Sequence, residues 1–187
     1  MRIIVIVLLT AGAMFAGCGA QEKPDVPPKG EKAMALTITS PVFAEGGMIP
    51  KKFTCDDADV SPALVIEGIP PGAKSLALIC DDPDAPVGIW VHWVLYNLPP
   101  DTKKLDEAMP KDAVLKNGAH QGVTDFGSPG YGGPCPPGGT HRYYFKVYAL
   151  DAMLTVGGKA TKKDLEAGMK GHILAVGQLM GKYARQR

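Results

Sequence analysis

Three carboxylates and two prolines fall within Cys80-Asp81-Asp82-Pro83-Asp84-Ala85-Pro86, directly after the apolar run Leu76-Ala77-Leu78-Ile79. Asp82 and Asp84 are two apart, and Pro83 and Pro86 restrict the segment to extended backbone, so the two side chains are expected to project together. His92 follows near the start of one aromatic, β-branched run, and His141 opens another in which Tyr143 adds a hydroxyl. A carboxylate that accepts from one imidazole nitrogen fixes the ring and favours the imidazolium, leaving the other N–H for an oxygen of a phosphate-like anion. Tyr131-Gly132-Gly133 belongs to the same chemistry, because glycines let backbone N–H groups approach an anion closely.

Each of these residues also has a plain structural reading. A histidine in an apolar strand is more often a satisfied core or surface residue, and Asp-Asp-Pro-Asp most often makes a solvated turn. Tyr131 could serve loop packing, and His172 reads as structural. Asp and His are good ligands for divalent ions, but no spacing such as HExxH accompanies them, so neither a metal nor another cofactor is expected. A hydrolase using His and Asp as base and acid lacks a nucleophile beside either histidine, with Ser128 only a remote one.

Positioning these groups requires strands. Alternation along residues 89–98 predicts His92, Val94 and Tyr96 on one face and Val91, Trp93 and Leu95 on the other. Along residues 141–151, His141, Tyr143 and Phe145 share a face opposite Arg142, Tyr144 and Lys146. Shorter strands are expected at residues 36–43, 46–50, 53–54, 64–66 and 75–80, punctuated by Gly and Pro. A short helix is expected near residues 103–109, followed by a long Gly- and Pro-rich loop. Thr161-Lys162-Lys163-Asp164 is a capping-box pattern, and Leu165, Met169, Ile173, Val176, Leu179, Met180 and Tyr183 recur at helical spacing. The expected fold is mainly β, with one or two C-terminal helices.

The N-terminus reads as an export signal, because Arg2 precedes the uncharged run at residues 3–15 and then Ala16-Gly17-Cys18. Small residues before Cys18 resemble a bacterial lipobox, which makes Cys18 the lipidation site. Phe15 departs from that pattern, and an ordinary secretory signal is the alternative. Residues 18–35, polar and Pro-containing at first, read as a tether, leaving residues 36–187 as the domain. The chain has 20 basic and 19 acidic residues, and loss of Arg2 with the signal leaves the two signs equal. Such a domain has no electrostatic footprint for nucleic acid. Cys55 and Cys135 lie in loop-like surroundings and are the favoured disulfide pair, with free thiols the alternative; Cys80 reads as a small buried hydrophobe.

Taken in order, Asp82 to Pro86 (DPDAP), His92-Trp93, Tyr131 to Pro137 (YGGPCPP) and His141 to Phe145 (HRYYF) resemble the phosphatidylethanolamine-binding protein family, in its bacterial Raf-kinase-inhibitor-like branch. The similarity extends over residues 36–187, through FTCDDADVSPAL at residues 53–64, YALD at 148–151 and GHILAVGQLMGKY at 171–183. Asp57 stands where that pattern has Gly, and Ile66 where Trp is common. The resemblance implies two antiparallel sheets with peripheral helices and a small pocket for phosphate-like anions or phospholipid headgroups. Carried over by motif, the pocket involves Asp82, Pro83, Asp84, His92, Tyr131, Pro134, His141 and Tyr143, and related bacterial proteins imply a homodimer. The expected function is non-enzymatic binding on a bacterial envelope membrane, with an inhibitor that docks on an envelope protease or other partner as the alternative.

Overall fold

A computed structural model describes residues 34–185. The signal, Cys18 and most of the tether lie outside the described residues. In chain order the elements are β1 (Met34–Ala35), β2 (Thr37–Thr39), a 3-10 turn (Lys51–Phe53), β3 (Leu64–Glu67), β4 (Ser75–Asp82), β5 (Trp90–Leu98), β6 (Lys104–Leu105), β7 (His120–Gln121), β8 (His141–Leu150), α1 (Lys162–Met169) and β9 (Ile173–Tyr183). They build a six-stranded sheet in the order β1-β9-β8-β4-β5-β7 and a three-stranded sheet in the order β2-β3-β6. Every pairing is antiparallel except that of β1 with β9. Met34 and Ala35, expected in the tether, are therefore already part of the sheet.

β4 is buried along its whole length because it is covered on both faces, which is why its sequence shows no polar alternation until Asp81. On one face Leu76, Leu78 and Cys80 join Trp93, Leu95, Phe145 and Val147 in the core closed by Ile38, Leu64, Ile66 and Leu105 of the small sheet. On the other, Ala77, Ile79, Val94 and Tyr96 pack against Leu165 and Met169 of α1. Complete burial of side chains of this size is worth about 1.5–3 kcal/mol each. The Thr161 hydroxyl accepts from Asp164 N and the Asp164 carboxylate accepts from Thr161 N, completing the capping box that starts α1.

The helical pattern stops early. Residues from Ile173 onward form β9, paired with β8 from His141↔Tyr183 to Leu150↔Ile173. The period of two was hidden because the inward positions are Ala175, Gly177, Leu179, Gly181 and Tyr183, and glycine shows no hydrophobic signal. Both glycines are required by close approach: a Cβ on Gly177 would meet Leu36 O at 2.3 Å, and one on Gly181 would meet the Ile49 side chain at 2.5 Å. The helix expected near residues 103–109 is absent too. Leu105 pairs with Leu64, and Ala108 N and Met109 N donate to the carbonyl and hydroxyl of Ser61, so tertiary partners take the backbone groups a helix would use. Of the short strands, residues 46–50 supply only the bridge Met48↔Lys182, and Phe53 ends a 3-10 turn.

Candidate functional site

Asp82 ends β4 on the face of Leu78 and Cys80, and His141 begins β8 on the face of Tyr143 and Phe145. The antiparallel pairing of the two strands brings those ends together. His141 Nδ1 donates to Asp82 Oδ2 at 2.7 Å, with both residues buried. The other oxygen, Oδ1, accepts from Asp84 N at 2.8 Å, a local bond of the kind aspartate makes at turns. Asp82 thus closes its own hairpin turn and orients one imidazole.

His92 reaches the same place by a different device. β5 faces β4 with Cys80↔Trp93 followed by Asp81↔Val91, so His92 is an extra residue in the ladder. Such a bulge re-aims side chains. Val91 consequently packs with Val94 and Tyr96 on the α1 side. The His92 ring instead meets the Tyr143 ring edge-on at 5.1 Å and the Phe126 ring at 5.3 Å. The alternation expected for residues 89–98 is therefore broken at this point, and the break turns His92 toward Tyr143. Its Nδ1 donates to Gly132 O at 2.7 Å, while Gly132 N donates back to His92 O at 2.9 Å. Burial holds the His92 pKa below its ordinary value, partly offset by the Gly132 carbonyl and by the charges of Asp82, Asp125 and Asp59.

Tyr143, its ring against that of His92, is 1% exposed, and its hydroxyl has no hydrogen-bond partner among the described residues. It stands beside the Asp82 carboxylate without meeting it in hydrogen-bond geometry. Burial, then the Asp82 charge, raise its pKa far above the ordinary tyrosine value, so it is a neutral donor.

Other expected site residues are placed differently. Asp84 turns to the rim, where Arg142 Nε and Nη2 donate to its two oxygens at 2.8 and 2.6 Å; that guanidinium holds the carboxyl at about 2. Asp84 orients no histidine. Tyr131 is a core pillar, its hydroxyl donating to Phe53 O at 2.9 Å and its ring against Trp93 and Phe145. Pro83 is exposed on the hairpin tip, and buried Pro134 accepts from Cys55 N. The disulfide joins Cys55 and Cys135, whereas Cys80 is a buried free thiol. The glycines present no free N–H: Gly132 N is held by His92 O and Gly133 N by Asp59 Oδ1, so the loop gives the site a carbonyl. Ser128 lies on an exposed turn whose carbonyl accepts from Thr124.

Sequence reasoning missed the Gly132 carbonyl, Phe126, Trp90 and Asp59. Phe126 stacks edge-on with both Trp90 and His92 and lies so close to Gly132 that a Cβ there would meet its ring at 2.5 Å. Only the glycine pair itself signalled close packing in the sequence.

Both imidazoles are anchored through Nδ1 on acceptors that carry no hydrogen in these bonds, so Nδ1 bears the proton in each. In the neutral tautomer Nε2 then offers a lone pair, and in the imidazolium an N–H. No group of three or more His, Cys, Asp or Glu side chains among the described residues is arranged to hold a metal ion. Two open concavities, of about 970 and 440 Å³, contain none of these rings. The first is walled by the β3–β4 loop with Pro70, Pro71 and Pro100, and lacks histidine; convergent polar chemistry, not volume, distinguishes the His92–His141 site.

The sequence model described as phosphatidylethanolamine-binding protein matches residues 39–184. A UPF0098 protein of Methanothermobacter thermautotrophicus is 47% identical over 150 residues, spanning 80% of this chain and 99% of that one. Among solved structures, the phosphatidylethanolamine-binding protein homolog CT736 of Chlamydia trachomatis superposes with a TM-score of 0.75 at 42% identity, covering 81% of this chain and 99% of that chain. YbcL of E. coli, described as a member of the mammalian family, superposes with the same TM-score at 31% identity, covering 81% of this chain and 99% of its own. Motif order, sheet topology and these similarities agree: the chain belongs to the phosphatidylethanolamine-binding protein family.

Proposed function

We propose that the His92–Tyr143–His141 site binds a small phosphate-like oxyanion, free or as a phospholipid headgroup, without turning it over. The observation that carries this reading is the Tyr143 hydroxyl, a buried donor with no acceptor among the described residues, on a ring that lies against His92 and near the Asp82 that anchors His141 through Nδ1. A buried polar group left unpaired costs about 1–3 kcal/mol, which an oxyanion acceptor would offset. Retention without turnover fits the same geometry, because Tyr143, whose ring lies edge-on to His92, is held protonated and is a poor nucleophile.

The tautomers add a condition. With each Nδ1–H already engaged, a neutral ring shows the anion a lone pair at Nε2, so binding requires the ring to take up a proton or the guest to bring one. Affinity therefore rises as pH falls. Calorimetric titration of phosphate and phosphoethanolamine at roughly pH 6 and pH 8, in buffers of different ionisation heat, tests this. The expected result is tighter binding at the lower pH with net proton uptake. Absence of heat at millimolar ligand for both compounds, or affinity that rises with pH, contradicts the reading.

The same reading places the domain on a bacterial envelope membrane through Cys18, supported by the uncharged run ahead of Ala16-Gly17-Cys18. Mass spectrometry of the N-terminal peptide from protein made in its own host would show a lipid-modified Cys18; an intact signal or an unmodified N-terminus elsewhere would refute the anchor.

A further inference from the structure

Asp59 has a backbone φ of 52°, a left-handed conformation uncommon for a residue with a side chain. Such a conformation persists when surrounding contacts enforce it. Here the enforcing contact is known: Asp59 Oδ1 accepts from Gly133 N at 2.6 Å. Gly133 is packed so tightly that a Cβ would lie 2.6 Å from both that oxygen and Phe53 O. The second carboxylate oxygen meets the exposed Lys111 Nζ at 3.2 Å.

Gly133 N and Gly132 O belong to one peptide unit. A trans peptide is planar, with its N–H and C=O pointing in opposite directions, so fixing one fixes the other. Asp59 grips the N–H, and the carbonyl on the far side accepts from His92 Nδ1 at 2.7 Å. Both flanking residues are glycines, whose free backbone torsions would otherwise let this plane turn over. Turned over, it would present N–H to His92 and demand the opposite tautomer.

We propose that Asp59 is a positioning residue: it locks the Gly132–Gly133 peptide plane and thereby dictates which nitrogen of His92 carries the proton and which faces the guest. Its effect on affinity rests on the oxyanion reading above; its effect on the His92 tautomer does not. Asp59→Gly removes the acceptor while suiting the positive φ, and Asp59→Asn keeps an acceptor oxygen in a residue type that tolerates the same conformation. Lys111→Met removes the exposed ion pair alone.

The experiment compares the ¹⁵N ring shifts of His92, thermal unfolding and phosphate affinity across the three variants. Asp59→Gly is expected to fold, lose the Nδ1–H signature of His92 and bind phosphate roughly tenfold more weakly, the scale of one lost hydrogen bond. Asp59→Asn and Lys111→Met are expected to keep the wild-type tautomer and affinity within about threefold. An unchanged His92 tautomer in folded Asp59→Gly, or its equal loss in Asp59→Asn, overturns the proposal. Should wild type fail to bind phosphate, the oxyanion reading falls while the ring shifts still decide the role of Asp59.

Discussion

Asp81 and Asp82 are neighbours on β4, both buried, and they point to opposite faces of one sheet. Asp81 meets two permanent cations: Lys146 Nζ lies 2.8 and 2.9 Å from its oxygens, and Lys162 Nζ lies 2.6 Å away at the first turn of α1. Asp82 meets a titratable ring and a backbone N–H. The first arrangement is an electrostatic staple between helix and sheet. The second joins the carboxylate to an imidazole, beside a buried hydroxyl with no acceptor among the described residues. Identical carboxylates one residue apart thus staple a helix on one face and orient an imidazole on the other, and the partner decides which.

The two faces are also closed differently, and removing each closure should affect its own side. Loop residues 131–137 are tied down by Cys55–Cys135, which spans 80 residues of sequence. The double change Cys55→Ala with Cys135→Ala is expected to lower stability by about 4 kcal/mol in denaturant unfolding, from regained freedom of the unfolded chain. It should also broaden the His92 ring signals while leaving amide exchange in α1 unchanged. Asp81→Asn leaves two lysines without their buried counter-charge, at about 3 kcal/mol. Amide exchange should then rise in α1, and phosphate affinity should stay as in wild type. Equal loss of affinity in this variant would erase the distinction between the faces.

Asp82→Asn is expected to cost less stability, about 2 kcal/mol, because an amide still offers one acceptor. Calorimetry should show about tenfold weaker phosphate binding, since the imidazolium of His141 loses its counter-charge. The smallest effect is the pH dependence arising from His92. Its pKa is depressed in the fold below the ordinary 6.5, so the unfolded chain takes up the proton first. The stability this ring contributes is complete above 6.5 and is lost as pH falls through the lower folded-state value. Urea midpoints for wild type and His92→Gln, measured between pH 5 and 8, should converge as pH falls. Divergence would mean that the ring is charged in the fold, with Asp82, Asp125 and Asp59 outweighing burial.

That an aspartate of the acidic segment orients a strand-end histidine was legible in the sequence, but not that Asp82 takes His141 while Asp84 takes Arg142. His92 was found as a residue and misplaced as a direction: simple alternation sends it toward Val94 and Tyr96, and only the register with β4 reveals the bulge. β9 was misread because glycines at Gly177 and Gly181 replaced the apolar half of its period, leaving a spacing that imitates a helix. Tyr131 was expected at the site through its loop, yet its hydroxyl serves Phe53 O. The role of Asp59 was invisible, because nothing local ties it to Gly133, seventy-four residues away.

The central claim is that His92 and His141 serve a single guest. The most direct measurement is a phosphate titration followed through the ¹⁵N ring signals of both histidines in one sample. The account predicts that the two Nε2 signals move together along one saturation curve while both Nδ1–H anchors remain. Movement of one ring alone, or of neither at millimolar phosphate, would contradict it.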